Sequence, residues 1–148
     1  MNLSFYESSD VECWFWTPDE FAPDDGNGLL VVGFSGTAGN SGQYSGGDDF
    51  MTAMVGAGRT LWNPQYLVLD FSKLTYSWGD NMTGVIGAAR ALNLLGVWED
   101  EEIPLAIVVS EMCREGLATL IDNEMSLSPR DYFVESVESG IELVKSRK

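Results

Sequence analysis

The sequence predicts an α/β fold built on a mixed sheet of four or five strands with helices packed against it. Three observations carry this reading. Short, mostly apolar runs at 29–34 (LLVVGF), 66–71 (YLVLDF) and 105–109 (LAIVV) have the length and composition of buried strands. Each is followed by a stretch whose apolar residues recur with helical spacing. Glycine, proline and asparagine clusters punctuate the segments between them. Strands alternating with helices of about 10–15 residues pack as α/β layers. Right-handed crossovers then place the three apolar strands parallel to one another.

Taken in order, residues 1–28 carry seven acidic side chains, no basic ones, and the aromatic group Phe5, Tyr6, Trp14, Phe15, Trp16 and Phe21. Residues 11–17 read as a strand that ends at Thr17-Pro18, because proline has no amide to give to a ladder. Alternation places Phe15 opposite Trp14 and Trp16, so one aromatic face meets the core and the other meets a partner or a covering loop. This strand adds antiparallel to a sheet edge. Asp24-Asp25-Gly26-Asn27-Gly28 is a turn. The expected organisation is a 1–28 strand and turn integrated into one domain with residues 29–148.

Residues 35–47 (SGTAGNSGQYSGG) are dominated by glycine and serine, a composition expected to form a mobile or tightly turning loop. Asp48 is placed to cap a helix over 48–62, with Phe50, Met54, Ala57 and Leu61 as its apolar stripe. Gly56 and Gly58 weaken that helix while allowing close packing on a sheet. Asn63-Pro64 ends it. After the strand at 66–71, Asp80 or Asn81 caps a second helix whose buried face is Met82, Val85, Ile86, Ala89 and Leu92 or Leu95. The acidic run at 99–102 is a solvated connection. Ser110 caps a third helix reaching about residue 121, Ser128-Pro129 turns the chain, and 132–134 forms a short strand. A final helix over 137–145 turns Val137, Ile141 and Val144 inward, with Lys145, Arg147 and Lys148 at its carboxyl end, where the helix dipole favours positive charge.

The charge excludes some functions. Eight basic against 23 acidic residues leave a net charge of −15, which repels nucleic-acid phosphates and anionic lipid headgroups. No apolar run approaches the roughly 18 residues of a membrane span, and the start lacks the pattern of a signal peptide. The expectation is an acidic cytoplasmic protein with no nucleic-acid partner and no membrane insertion. Two cysteines, Cys13 and Cys113, read most simply as reduced thiols.

Catalytic chemistry is sparse. Histidine is absent from the sequence, which removes Ser-His-Asp triads, Cys-His pairs and histidine metal sites. No phosphate-cradling glycine motif of the usual spacing occurs. Asp48-Asp49 reads as a helix cap plus a solvated charge, with divalent-metal ligation as the other reading. No catalytic residue, cofactor or metal site is assigned. Asp70 and Asp80 sit on the carboxyl side of a predicted central strand, where open α/β sheets form their ligand crevice. Each also has a structural reading: Asp70 satisfying loop amides, Asp80 capping a helix. Ser72, Ser77 and Thr83 surround the same loop, and phosphate on any of them would add about two negative charges at a helix start.

The segment YLVLDFSKLTYSWGDNMTGVIGAARAL resembles the central part of STAS domains, the sulfate transporter and anti-sigma-factor antagonist group. The shared pattern is an apolar strand ending in aspartate, a polar serine-containing loop, then a helix. The likeness extends to the preceding helix, to IPLAIVVS and to YFVESVESGIELV, covering about residues 29–145. The resemblance implies a STAS-like fold and a regulatory protein-interaction module that docks a protein partner, commonly a kinase-like regulator, in signalling. It also implies an interaction or switch loop comprising Asp70, Ser72, Ser77, Trp78, Gly79, Asp80 and Thr83. Asp70 matches the strand-end aspartate. Trp78 and Gly79 stand near the family's Asp-Ser positions, so the usual phosphoacceptor is missing unless Ser77 substitutes for it after a small register shift. A phosphorylation-independent scaffold or sensor follows, with the aromatic amino-terminal strand as the expected surface of a homodimer.

The competing reading is a crotonase- or Clp-like acyl-processing enzyme or a degenerate derivative. There the glycine-rich 35–47 segment would offer amides to an oxyanion. A Ser-Lys dyad would have to use Lys73, the one lysine before the carboxyl-terminal tail.

Overall fold

The computed structural model describes residues 4–7, 11–18, 28–38, 46–76, 82–90 and 103–147. Strands β1 (Ser4–Glu7), β2 (Val11–Trp16), β3 (Leu29–Ala38), β4 (Tyr66–Tyr76), β5 (Leu105–Val108) and β6 (Phe133–Val134) form one sheet in chain order. β1, β2 and β3 run antiparallel in turn, and β3 through β6 are parallel. The expected parallel centre and antiparallel amino-terminal edge are both present. The sheet has six strands because the amino-terminal segment supplies two of them: Phe5 pairs with Trp14 and Tyr6 with Cys13.

Four helices, α1 (Gly46–Trp62), α2 (Met82–Arg90), α3 (Arg114–Asn123) and α4 (Val137–Ser146), pack on this sheet. The first three connect successive parallel strands, and crossovers of one hand put them on one face. The larger core lies beneath them, built from Cys13, Phe15, Val32, Phe34, Met51, Leu69, Phe71, Ile86 and Leu117 among others. α4 lies on the opposite face against β4, β5 and β6, over Leu29, Val31, Tyr66, Val68, Ala106 and Val108. Gly140 permits that approach: a Cβ there would stand 3.1 Å from Val68 Cγ1. Ser136 caps α4 by accepting the Ser139 amide at 3.1 Å.

Several expectations are corrected. α1 begins at Gly46, so Asp48 lies inside its first turn rather than at the cap. Its buried line runs through Met51, Val55 and Gly58, with Phe50, Met54 and Trp62 beside it, and Leu61 is 71% exposed. The stripe predicted from spacing was rotated by about one residue, because the position of the sheet rather than helical periodicity decides where its centre falls. Gly58 does serve close packing, its Cβ direction meeting Phe15 at 2.7 Å, while Gly56 faces open space. Ser110 does not cap α3. Its carbonyl accepts the amides of Cys113 and Arg114, and Cys113 occupies the cap position. Residues 35–38 belong to β3 and 46–47 to α1. The rest of the glycine-rich segment, Leu92, Leu95 and the 99–102 run lie outside the described residues.

β4 is also longer than predicted. It continues past Phe71 to Tyr76 because β3 continues beside it, pairing Ser35 with Lys73, Gly36 with Leu74 and Ala38 with Tyr76. Buried Leu74 and Tyr76 anchor this extension, and the Tyr76 amide donates to the Met112 carbonyl at 3.1 Å. The register shifts between Gly33 and Ser35, where β4 spends one extra residue.

Candidate functional site

Asp70 therefore sits in the interior of β4, not at its carboxyl end. It forms a cross-strand row with Trp14 of β2 and Gly33 of β3, since Trp14 pairs with Gly33 and Gly33 with Asp70. All three lie on the face that carries α4 rather than α1–α3. Gly33 is required by this arrangement: a Cβ there would fall 2.0 Å from Trp14 Cε2, so the indole rests directly on the glycine backbone.

The bulge following this row shapes the neighbourhood of Asp70. Ser72 Oγ donates to Asp70 Oδ1 at 2.7 Å, and the Ser72 amide donates to the same oxygen at 3.0 Å. Asp70 is 9% exposed. The extra residue also returns Lys73 to the face of Asp70, and its exposed side chain places Nζ 5.8 Å from the Trp14 ring centroid. On the other face, the Cys113 thiol donates to the Phe71 carbonyl at 3.4 Å, fastening the start of α3 to the bulge.

Between β2 and the first turn of α4 runs an open groove of ≈ 310 Å³, lined by Trp14, Trp16, Val31, Asp70, Val137 and Glu138. The two tryptophans are half-buried, Phe15 between them is buried on the opposite face, and the predicted alternation holds. Of the switch-loop residues read from sequence, the fold brings Asp70 and Ser72 together. Thr83 stands half-buried in the first turn of α2. Ser77, Trp78, Gly79, Asp80 and the alternative cap Asn81 lie outside the described residues. The groove itself was missed. The alternating tryptophans of β2 signalled one wall, but nothing local linked them to Asp70 or to Glu138.

No family model matches the chain, and no curated protein matches it. Among solved structures, a crystal structure of an anti-sigma factor antagonist from Mycobacterium paratuberculosis superposes with a TM-score of 0.53, covering 90% of this chain and 94% of that one at 16% identity. The fold is STAS-like. At that identity the likeness concerns architecture, and it extends the resemblance read from residues 29–145 to nearly the whole chain. In this STAS-like frame, β4 and α2 supply the strand and the helix of the segment singled out from sequence.

Among the described residues, no group of three or more cysteine, aspartate or glutamate side chains is arranged to hold a metal ion, and no helix is long and apolar enough to cross a membrane. Both cysteines are free and buried. The Lys73 amine stands over an indole, and no observation on this fold supports the crotonase- or Clp-like alternative.

Proposed function

We propose that this STAS-like chain is a non-enzymatic regulatory module that acts by docking a protein partner, with a kinase-like regulator or anti-sigma factor as the partner class. The observation that carries the reading is the fold match over nine-tenths of the chain to a protein described as an anti-sigma factor antagonist. The docking centre comprises Ser77, Trp78, Gly79, Asp80 and Thr83 around the connection from β4 to α2, together with Asp70 and Ser72 further back in β4. Because Trp78 and Gly79 replace the family's Asp-Ser pair, docking is independent of phosphorylation. The protein works in the cytoplasm, without a cofactor, and self-associates through its aromatic amino-terminal strands.

The test is partner capture from native lysate followed by affinity measurement with the purified partner. Trp78→Ala is expected to weaken binding by about 2 kcal/mol or more, as truncation of a central tryptophan does. Unchanged affinity would remove Trp78 from the docking centre. Light scattering across protein concentration tests self-association, and a strict monomer at every concentration overturns it.

A further inference from the structure

We propose that the groove between β2 and α4 is a binding site for an organic cation, an alkylammonium or guanidinium group on an apolar stem. This site shares Asp70 with the docking centre proposed above but rests on the groove itself, and the Glu138 and Lys73 variants lie outside that centre. At its floor lies Asp70, more than nine-tenths buried. The hydrogen bonds of this carboxylate fall on Oδ1, both from Ser72, leaving Oδ2 without a donor among the described residues. Oδ2 keeps its contact with solvent on the groove side, and a cationic N–H or ammonium group entering the groove is its charge-assisted complement.

The walls fit the same ligand. Trp14 and Trp16 present indoles, the aromatic side chains that attract cations most strongly, while Val31 and Val137 offer apolar surface to a stem. Glu138 adds a second carboxylate at the exposed rim, and Glu12 lies exposed on the same face of β2. Lys73 Nζ, 5.8 Å from the Trp14 centroid, already shows that a cation settles on this indole. The groove volume of ≈ 310 Å³ lies at the lower end of small-ligand clefts. The chain's net charge of −15 concentrates cations near it. An anion would face Asp70 and Glu138, and a neutral apolar ligand would leave Asp70 Oδ2 unsatisfied.

The experiment follows the indole N–H resonances of Trp14 and Trp16 in the full-length protein during titration with butylguanidinium, butyltrimethylammonium, the neutral isostere butylurea, and a blocked Gly-Arg-Gly tripeptide at matched ionic strength. Saturable shifts at Trp14 and Trp16, with the Trp62 indole on the other face unmoved, are expected for the cations and not for butylurea. Asp70→Asn retains an oxygen for Ser72 and should weaken binding at least threefold. Glu138→Gln, an exposed change, should weaken it in the same direction, and Lys73→Met, which removes the resident cation, should strengthen it at least threefold. If the tripeptide saturates at tenfold lower concentration than butylguanidinium, the natural source is a basic side chain of a protein. Equal or weaker binding assigns the site to a free small cation. Equal shifts from butylurea, a non-saturating response, or affinities unchanged in both Glu138→Gln and Lys73→Met overturn the proposal, even if Asp70→Asn fails to fold.

Discussion

Ser72 Oγ lies 2.7 Å from Asp70 Oδ1 and donates to it across a single turn of the β4 bulge, while the Ser72 amide reaches the same oxygen at 3.0 Å. A strand normally sends residues two apart to the same face without joining them. Here the extra residue curls the backbone so that Ser72 holds Asp70 in place, where it lines the groove beside Trp14.

Replacing Ser72 with alanine should therefore destabilise the protein. The lost bond is to a carboxylate, but the amide bond remains, so about 1.5 kcal/mol is expected, the low end for charge-assisted bonds. A urea midpoint lowered at unchanged slope is the signature. An unchanged midpoint would show that the hydroxyl contributes nothing to holding Asp70.

Two glycines should respond to alanine with opposite signs. Gly33→Ala puts a methyl 2.0 Å from the Trp14 ring, forcing the indole off the sheet at a cost of about 1–3 kcal/mol and changing tryptophan fluorescence. Gly56→Ala adds a methyl with nothing within 4 Å in the interior of α1, and should stabilise by about 0.4–1 kcal/mol. Thermal or urea unfolding of the pair decides it. A neutral Gly33→Ala variant would mean that Trp14 does not rest on this backbone in solution.

Burial raises the Cys13 thiol from its ordinary 9.0 to about 12 and raises Cys113 as well, so both remain protonated in the folded chain at neutral pH. Above about pH 9 the unfolded chain releases these protons while the folded chain keeps them. The unfolded state then binds fewer protons, and stability falls as pH rises from 9 towards 12 through Cys13, by up to about 1.4 kcal/mol per pH unit, with Cys113 acting in the same direction. Native protein at pH 8 should react slowly with a thiol reagent and titrate two thiols in denaturant. Labelling of Cys13 at equal rates in both states would contradict its burial.

The legible parts of this protein are those dictated by local pattern. Apolar runs at 29–34, 66–71 and 105–109 became β3, β4 and β5, and the Met82, Val85, Ile86 and Ala89 spacing became the buried face of α2, because periodicity and side-chain type act within a few residues. The Phe15 alternation with Trp14 and Trp16 was readable for the same reason.

The limits of β3 and β4 belong to the tertiary structure, since a strand ends where its partner stops supplying hydrogen bonds. Residues 35–38 look like loop by composition, yet they become strand because Lys73, Leu74, Thr75 and Tyr76 pair with them. That pairing moves Asp70 from a strand end to a strand interior. The sequence alone thus determined the βα alternation, the strand and helix of the segment at 66–92, and the absence of histidine chemistry. Only the tertiary structure decided that Trp14, Gly33 and Asp70 share a row, and that Glu138, 68 positions beyond Asp70 in the chain, closes the same groove. Contacts between residues so far apart depend on sheet register and on the docking of α4, neither of which is encoded in any local window.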